Sequence, residues 1–206
     1  MFNKPNIYLV YKITVKDKDG EVVYSKEKKS ESFVANFLTL LHSTLIGQWV
    51  TVVDINGNEV TSGSITASYS VGGVGYSKCA TNPGRLLLNA PEGDSSYGIV
   101  VGTGETPVSP NDYKLENQIP HGSADGQLYY YSSSVGNVSI KESQIRQTVS
   151  RVFENKGSVD VVIKEIGLVA KIHNGSCILI VRDVLSEPVT VPNSGGVVIV
   201  DYFIMS

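Results

Sequence analysis

Lys171-Ile172-His173-Asn174-Gly175-Ser176-Cys177 is the stretch on which the reading of this chain turns. Residues 160–172 run into it and 177–185 run out of it, both dense in Val, Ile and Leu, and a third such run follows at 197–204. Asn-Gly between apolar runs signals a hairpin, because a type I′ turn needs positive φ at both central residues. A two-residue turn at Asn174-Gly175 sets a register: His173 opposite Ser176, Gly167 opposite Arg182, Ile166 opposite Asp183, and Glu165 diagonal to Arg182. Both faces of the ribbon then come out apolar, Ile166, Leu168, Ala170, Leu179 and Val181 on one and Val169, Ile178, Ile180 and Val184 on the other. Such a ribbon needs cover on two sides, from more of the fold or from another subunit.

Working outward, residues 7–16 and 21–28 flank Asp17-Lys18-Asp19-Gly20, a second hairpin whose Asp-Gly supplies positive φ. Ile7, Leu9, Tyr11, Ile13 and Val15 fall on its apolar face. Ser30-Glu31-Ser32 then opens an amphipathic helix with Phe33, Val34, Phe37, Leu38, Leu41, Leu45 and Ile46 on one stripe and Gly47 at its end, a stripe expected to lie on a sheet. Short strands follow around Asn56-Gly57-Asn58. Residues 62–96 are irregular and rich in Gly, Ser and Asn, with Gly72-Gly73-Val74-Gly75, Asn82-Pro83-Gly84 and a short strand at Arg85-Leu86-Leu87-Leu88. So long a loop reads as a binding surface or an arm that orders on a partner. Beyond it come a buried strand at 96–102, a helical turn around Asp112, and strands at 127–131 and 144–153. In the last of these Ile145, Gln147, Val149, Arg151 and Phe153 share a face. The whole predicts one mainly β domain over 1–206, an antiparallel, jelly-roll-like β-sandwich with its hairpin and single helix at about 7–47.

The chain has 206 residues, a formal net charge of −3 from 17 basic and 20 acidic residues, and two cysteines in unlike contexts. Nucleic-acid binding needs a concentrated basic face, which is not found here. No apolar run reaches the length of a membrane span, and no h-region follows Met1, so folding in a cytoplasm without disulfides is expected.

Chemistry is sparse. Gly102-Thr103-Gly104 after a strand lacks the further residues of a phosphate-binding loop and reads as a sharp strand exit. His121, His173 and Cys177 do not complete a metal site, and neither a metal nor a cofactor is expected. Glu165 with Arg182 and Asp183 is the best acid-base cluster, and Glu165 with Arg182 reads as a cross-strand ion pair locking the hairpin register rather than as a catalytic pair. Tyr129-Tyr130-Tyr131 could stack on sugar rings or pack at a subunit boundary. No nucleophile elbow, Cys–His pair or singled-out carboxylate pair is present.

Three sets of residues carry a resemblance. They are Ser32-Phe33-Val34-x-Asn36-Phe37-Leu38-x-x-Leu41, then Val101-Gly102-Thr103-Gly104 with Pro107 and Asp112-Tyr113-x-Leu115-x-x-Gln118-Ile119, then Glu165-Ile166-Gly167-Leu168 with Ile180-Val181-Arg182-Asp183-Val184. Together they span about 30–204, and the chain resembles a group of tailed-bacteriophage proteins described as virion structural or tail-associated. The resemblance implies a non-enzymatic virion component, a capsid decoration or a tail, neck or baseplate subunit, folded in the host cytoplasm. It would contact other virion proteins and its own copies, a homo-oligomer with no nucleic-acid or membrane partner. The alternative is a glycan-binding module of a tail fibre using Tyr129, Tyr130 and Tyr131 or the 62–96 loops. A glycan hydrolase ranks last, for want of identifiable carboxylates.

Overall fold

The computed structural model describes residues 7–30, 32–46, 48–62, 66–71, 74–79, 86–141 and 144–206. In chain order these form β1 (Tyr8–Lys16), β2 (Val22–Ser30), α1 (Ala35–Ile46), β3 (Val50–Val53), β4 (Glu59–Ser62), β5 (Thr66–Val71), β6 (Val74–Cys79) and β7 (Gly98–Gly102). There follow β8 (Tyr129–Tyr130), β9 (Ser134–Val135), β10 (Ser139–Lys141), β11 (Gln144–Asn155), β12 (Val161–Lys171), β13 (Cys177–Val191) and β14 (Gly196–Met205). The chain is mainly β, with antiparallel sheets and, among the described residues, one helix.

The larger sheet has the order β10-β11-β14-β1-β2, and the short β8 and β9 also pair with β11. The smaller sheet has the order β13-β12-β7, and β3-β4 and β5-β6 are separate hairpins. The last strand, β14, fills the middle of the larger sheet, joining β1 on one side to β11 on the other. One buried cluster takes Leu9, Ile13 and Val15 from β1, Val149 and Phe153 from β11, Val198 and Val200 from β14, and Ile99, Ile163, Ile166 and Val181 from the smaller sheet. Both sheets thus contribute to one buried cluster. On β1 the alternation holds for Leu9, Tyr11, Ile13 and Val15, while Ile7 lies outside the strand and is exposed.

The deciding hairpin forms, with a different turn. Ile172 N donates to Ser176 O at 2.9 Å and Gly175 N to Ile172 O at 3.0 Å, so the loop has three residues. Gly175 has φ of +90° and Asn174 does not share it. This is a type I turn closed by a left-handed glycine, not a type I′ turn. Near the turn the register is therefore one residue off the expectation, Val169 opposite Leu179 and Ala170 opposite Ile178. A bulge at Ile180 takes up the difference, and Gly167 faces Arg182 and Ile166 faces Asp183 as expected. The bulge also moves Leu179 across to the Gly167 face, where Leu115 covers it. The same three-residue loop closes β1-β2 with Gly20 and β3-β4 with Gly57, each nucleated by an aspartate, Asp17 or Asp54, that accepts two backbone N–H groups.

The hairpin's second cover comes from the chain itself. Leu115 packs against Gly167 and α1 lies against β13, while residues 32–34 pair with the free edge of β13, where Val34 N donates to Ile180 O at 3.2 Å and Arg182 N to Ser32 O at 3.2 Å. No subunit is needed to explain its two apolar faces.

Helix α1 departs from the expected stripe. Val34, Leu40 and Ser43 are buried, while Leu38, Leu41, Leu45 and Ile46 are exposed. The cause is Asn36, whose amide donates to Val53 O at 2.9 Å and accepts from Val53 N at 3.1 Å, pairing with β3 as a strand residue would. Ala35 N donates to Pro110 O at 2.8 Å, and Ser43 Oγ to Gln48 O at 2.6 Å. These bonds set the roll of the helix against the hydrophobic pattern.

Two further expectations change. The 62–96 region contains the β5-β6 hairpin, with Tyr69 opposite Tyr76, and Leu87 bridges to Lys171 instead of forming a strand with its neighbours. Gly72, Gly73, Asn82, Pro83, Gly84 and Arg85 lie outside the described residues. The helical turn expected around Asp112 is a hydrogen-bonded turn from Ser109 to Asp112 without a helix.

Candidate functional site

The sequence between β7 and β8 has almost no periodic structure, yet it is packed against the hairpin. Irregular backbone that leaves water must find partners for its N–H and C=O groups. Glu165 supplies an acceptor for three of its N–H groups, and Arg151 supplies donors for carbonyls on its approach at 91–99 and at Tyr131 beyond it.

Glu165 is the acceptor. It stands on β12, fully buried, because the hairpin register turns it to the face under residues 103–117. Its Oε1 accepts from Gly104 N at 3.0 Å and Asn117 N at 2.8 Å, and its Oε2 from Glu116 N at 3.1 Å and Arg182 Nε at 2.9 Å. Those four donors fill the roughly four lone-pair sites of a carboxylate. Arg182, 2% exposed, donates further from Nη1 to Asp112 Oδ2 at 2.8 Å and from Nη2 to Thr106 Oγ1 at 3.2 Å, with Glu116 Oε2 at 3.7 Å. Burial disfavours the guanidinium charge, but its hydrogen bonds to Asp112 and Glu165 outweigh it and hold its pKa above the ordinary arginine value. Glu116 in turn accepts from Thr106 N, Thr106 Oγ1 and Glu105 N, and these bonds, the Thr106 backbone first, hold its carboxyl below the ordinary range. The cluster floors an open cleft of about 360 Å³ that Tyr113, Lys114 and Leu115 also line.

Gly102 and Gly104 are explained here. A Cβ on either would come within 2.5 Å of Glu165 Oε1, so this pair of glycines makes room for a carboxylate of the protein itself.

Asp183, read from the sequence beside Arg182, points the other way. It accepts from Ser30 Oγ at 2.9 Å and Tyr202 Oη at 3.0 Å, tying β13 to β2 and β14. Burial pushes its carboxyl up, against the pull of the Ser30 and Tyr202 bonds. Burial, and then the Asp183 charge, raise the Tyr11 hydroxyl to about 12.

Arg151 is the donor, and its function was not read from the sequence. The guanidinium is 1% exposed and its five N–H groups reach five carbonyls: Nε to Tyr131 O at 2.8 Å, Nη1 to Tyr97 O at 2.9 Å and Ile99 O at 3.1 Å, Nη2 to Asp94 O at 2.6 Å and Pro91 O at 3.4 Å. Arginine has five donors in a fixed fork, so none is left over. Burial lowers its pKa to about 10, which leaves it charged at neutral pH. Tyr130 and Phe153 flank it, with ring centroids 4.8 and 5.8 Å from the guanidinium carbon. The signal was present in the alternation of Val149, Arg151 and Phe153 on one face of a strand.

The three tyrosines divide. Tyr130 is wholly buried, its hydroxyl donating to Ile119 O at 2.6 Å, and is no part of any platform. Strand alternation sends Tyr129 and Tyr131 the other way, half exposed and edge to face at 5.1 Å. Their hydroxyls donate to Glu92 at 2.5 Å and Glu154 at 2.6 Å, and Lys156 Nζ lies 3.6 Å from the Tyr129 ring centre. His121 Nδ1 accepts from Tyr130 N at 3.1 Å, and His173 and Cys177 stand apart from it at the far hairpin turn. Among the described residues no group of three or more His, Cys, Asp or Glu side chains is placed to hold a metal, and no helix is long and apolar enough to cross a membrane.

No family model matches this chain, and no curated protein and no solved structure matches it.

Proposed function

We propose that the protein is a non-enzymatic structural component of a phage virion, a capsid decoration or a tail, neck or baseplate subunit that works through contacts with other virion proteins and with its own copies. One observation supports this reading: the charged residues of the stretches on which the expected resemblance rests, Asp112, Glu165, Arg182 and Asp183, are spent on contacts inside the fold. Glu165 is saturated by three backbone amides and Arg182, and Asp112 and Arg182 are paired with each other. A carboxylate so committed serves rigidity, since a general acid or base must reach a substrate proton. Rigidity is what a subunit repeated around a symmetry axis needs.

A second reading, a glycan-binding module of a tail fibre, has its own support in the outward pair Tyr129 and Tyr131. Light scattering on a dilution series, run beside a glycan array, separates the two. The virion-subunit reading expects a discrete oligomer that survives dilution and an array without signal. A monomer that binds a glycan, and stops doing so on Tyr129→Ala or Tyr131→Ala, would replace it with the glycan module.

A further inference from the structure

We infer that the exposed face of α1 is a self-association surface, and that its occupant is the same face of a second copy paired about a two-fold axis. This rests on the assembly reading above and gives it a surface. Leu38, Leu41 and Leu45 are 62%, 42% and 76% exposed along one side of the helix, and Phe33 stacks on Phe37 at 4.3 Å beside them. The roll that exposes them is held by the two Asn36 bonds to Val53 and by Pro110 on the helix N-terminus, so the leucines cannot be buried by turning the helix inward without breaking those bonds.

Charge selects the partner. No Asp, Glu, Lys or Arg occurs between Glu31 and Asp54, whereas the neighbouring edge strand β2 carries Lys26, Glu27, Lys28 and Lys29. Interface cores are depleted in charge, and lysines on an edge strand oppose strand-to-strand pairing. The sheet edge is thus defended while the helix face is open, and a neutral apolar face is matched by another like it.

Shape and area agree with a second copy. Beside the protruding leucines lies a cleft of about 310 Å³ lined by Phe37, Leu40, Leu41 and Leu86 with Ser43, Thr44 and Ser62. Knob and hole on one face are the requirement for an isologous contact, in which each copy's leucines enter the other's cleft. From their fractional exposures, Phe33, Leu38, Leu41, Leu45 and Leu86 offer on the order of 500 Å² of apolar surface, about what the apolar part of a standard interface of roughly 800 Å² per partner contains.

The test is the solution mass of the full chain across a dilution series, with melting curves to verify folding. The wild type is expected at twice the 22.2 kDa chain mass. Leu38→Glu and Leu45→Glu should each weaken the dimer by roughly tenfold or more, and the double variant should run as a folded monomer. Lys28→Glu, on the defended edge, should leave the dimer intact. An oligomer that persists in the double variant overturns this inference and leaves the assembly reading standing. A wild type that is monomeric throughout overturns it whatever other virion proteins it contacts. So does a monomer that floats with neutral phosphatidylcholine vesicles through these leucines, which would give the face to lipid.

Discussion

Arg151 and Arg182 are both all but excluded from water, yet one is caged by carbonyls and the other by carboxylates. The difference follows from what each end of the long β7–β8 segment and its approach presents. Around 91–99 and at 131 the backbone turns its C=O groups inward, and a guanidinium can satisfy five of them without a counter-charge. Around 104–117 it turns N–H groups inward. Only an acceptor can serve these, so Glu165 takes that role and Arg182 offsets its buried charge. The acceptor centre fixes residues 104–117, which have little secondary structure of their own, and the donor centre fixes the approach at 91–99 and Tyr131 beyond it. A buried ion pair contributes little net stability against an apolar substitute, so the function of the Glu165–Arg182 centre is to specify where residues 104–117 lie.

Removing Arg151 is the harshest way to break the comparison. Arg151→Met should cost about 4–5 kcal/mol in urea unfolding, or prevent folding, since it strands several buried carbonyls at once. Arg151→Lys should recover less than half, because three donors on a point charge cannot match five in a plane. Arg182→Met should cost about 3–4 kcal/mol by leaving Glu165 charged and buried, though three amides still solvate it. Gly104→Ala tests the close approach of the carboxylate: with its Cβ meeting Glu165 and Glu116, a loss of about 2 kcal/mol is expected in the same measurement.

The two centres should also part in acid. Glu116 has its folded pKa below the ordinary 4.5, so its contribution is present above that value and is lost as pH falls through the folded one. Asp183, raised by burial, acts in the opposite sense, favouring the fold as pH falls. The difference in stability against pH between wild type and Glu116→Gln isolates the first effect: the variant should show the shallower acid loss. Arg151, held by carbonyls that do not titrate, should contribute nothing to it. The smallest effects belong to the tyrosines. Tyr130→Phe should cost about 1 kcal/mol for its hydroxyl's bond to Ile119, and Tyr129→Ala at the surface about half that.

Much of this was legible in the residues. Strand runs, the three glycine turns and the pairing of Gly167 with Arg182 follow from alternation and turn chemistry. The last came out although the turn type did not, because the bulge at Ile180 cancelled the extra loop residue, and no local pattern marks a bulge of that kind. The roll of α1 was hidden because one asparagine bonded to a strand outweighed four apolar positions, Leu38, Leu41, Leu45 and Ile46. Glu165 and Arg182 were visible as a pair. Their partners were not, since the amides of Gly104, Glu116 and Asn117 are backbone groups whose direction is set only once the segment folds. For the same reason Arg151 read as a polar residue on an apolar face, its five carbonyl partners being anonymous in sequence.

Hydrogen exchange at the amides of Gly104, Glu116 and Asn117, in the wild type and in Glu165→Gln, tests most directly whether a buried carboxylate holds this segment. These three amides should be strongly protected although they lie outside any strand or helix, and all three should exchange markedly faster in the variant while the strand amides of β1 and β14 are unchanged. Fast exchange in the wild type, or protection that survives the substitution, would contradict the account.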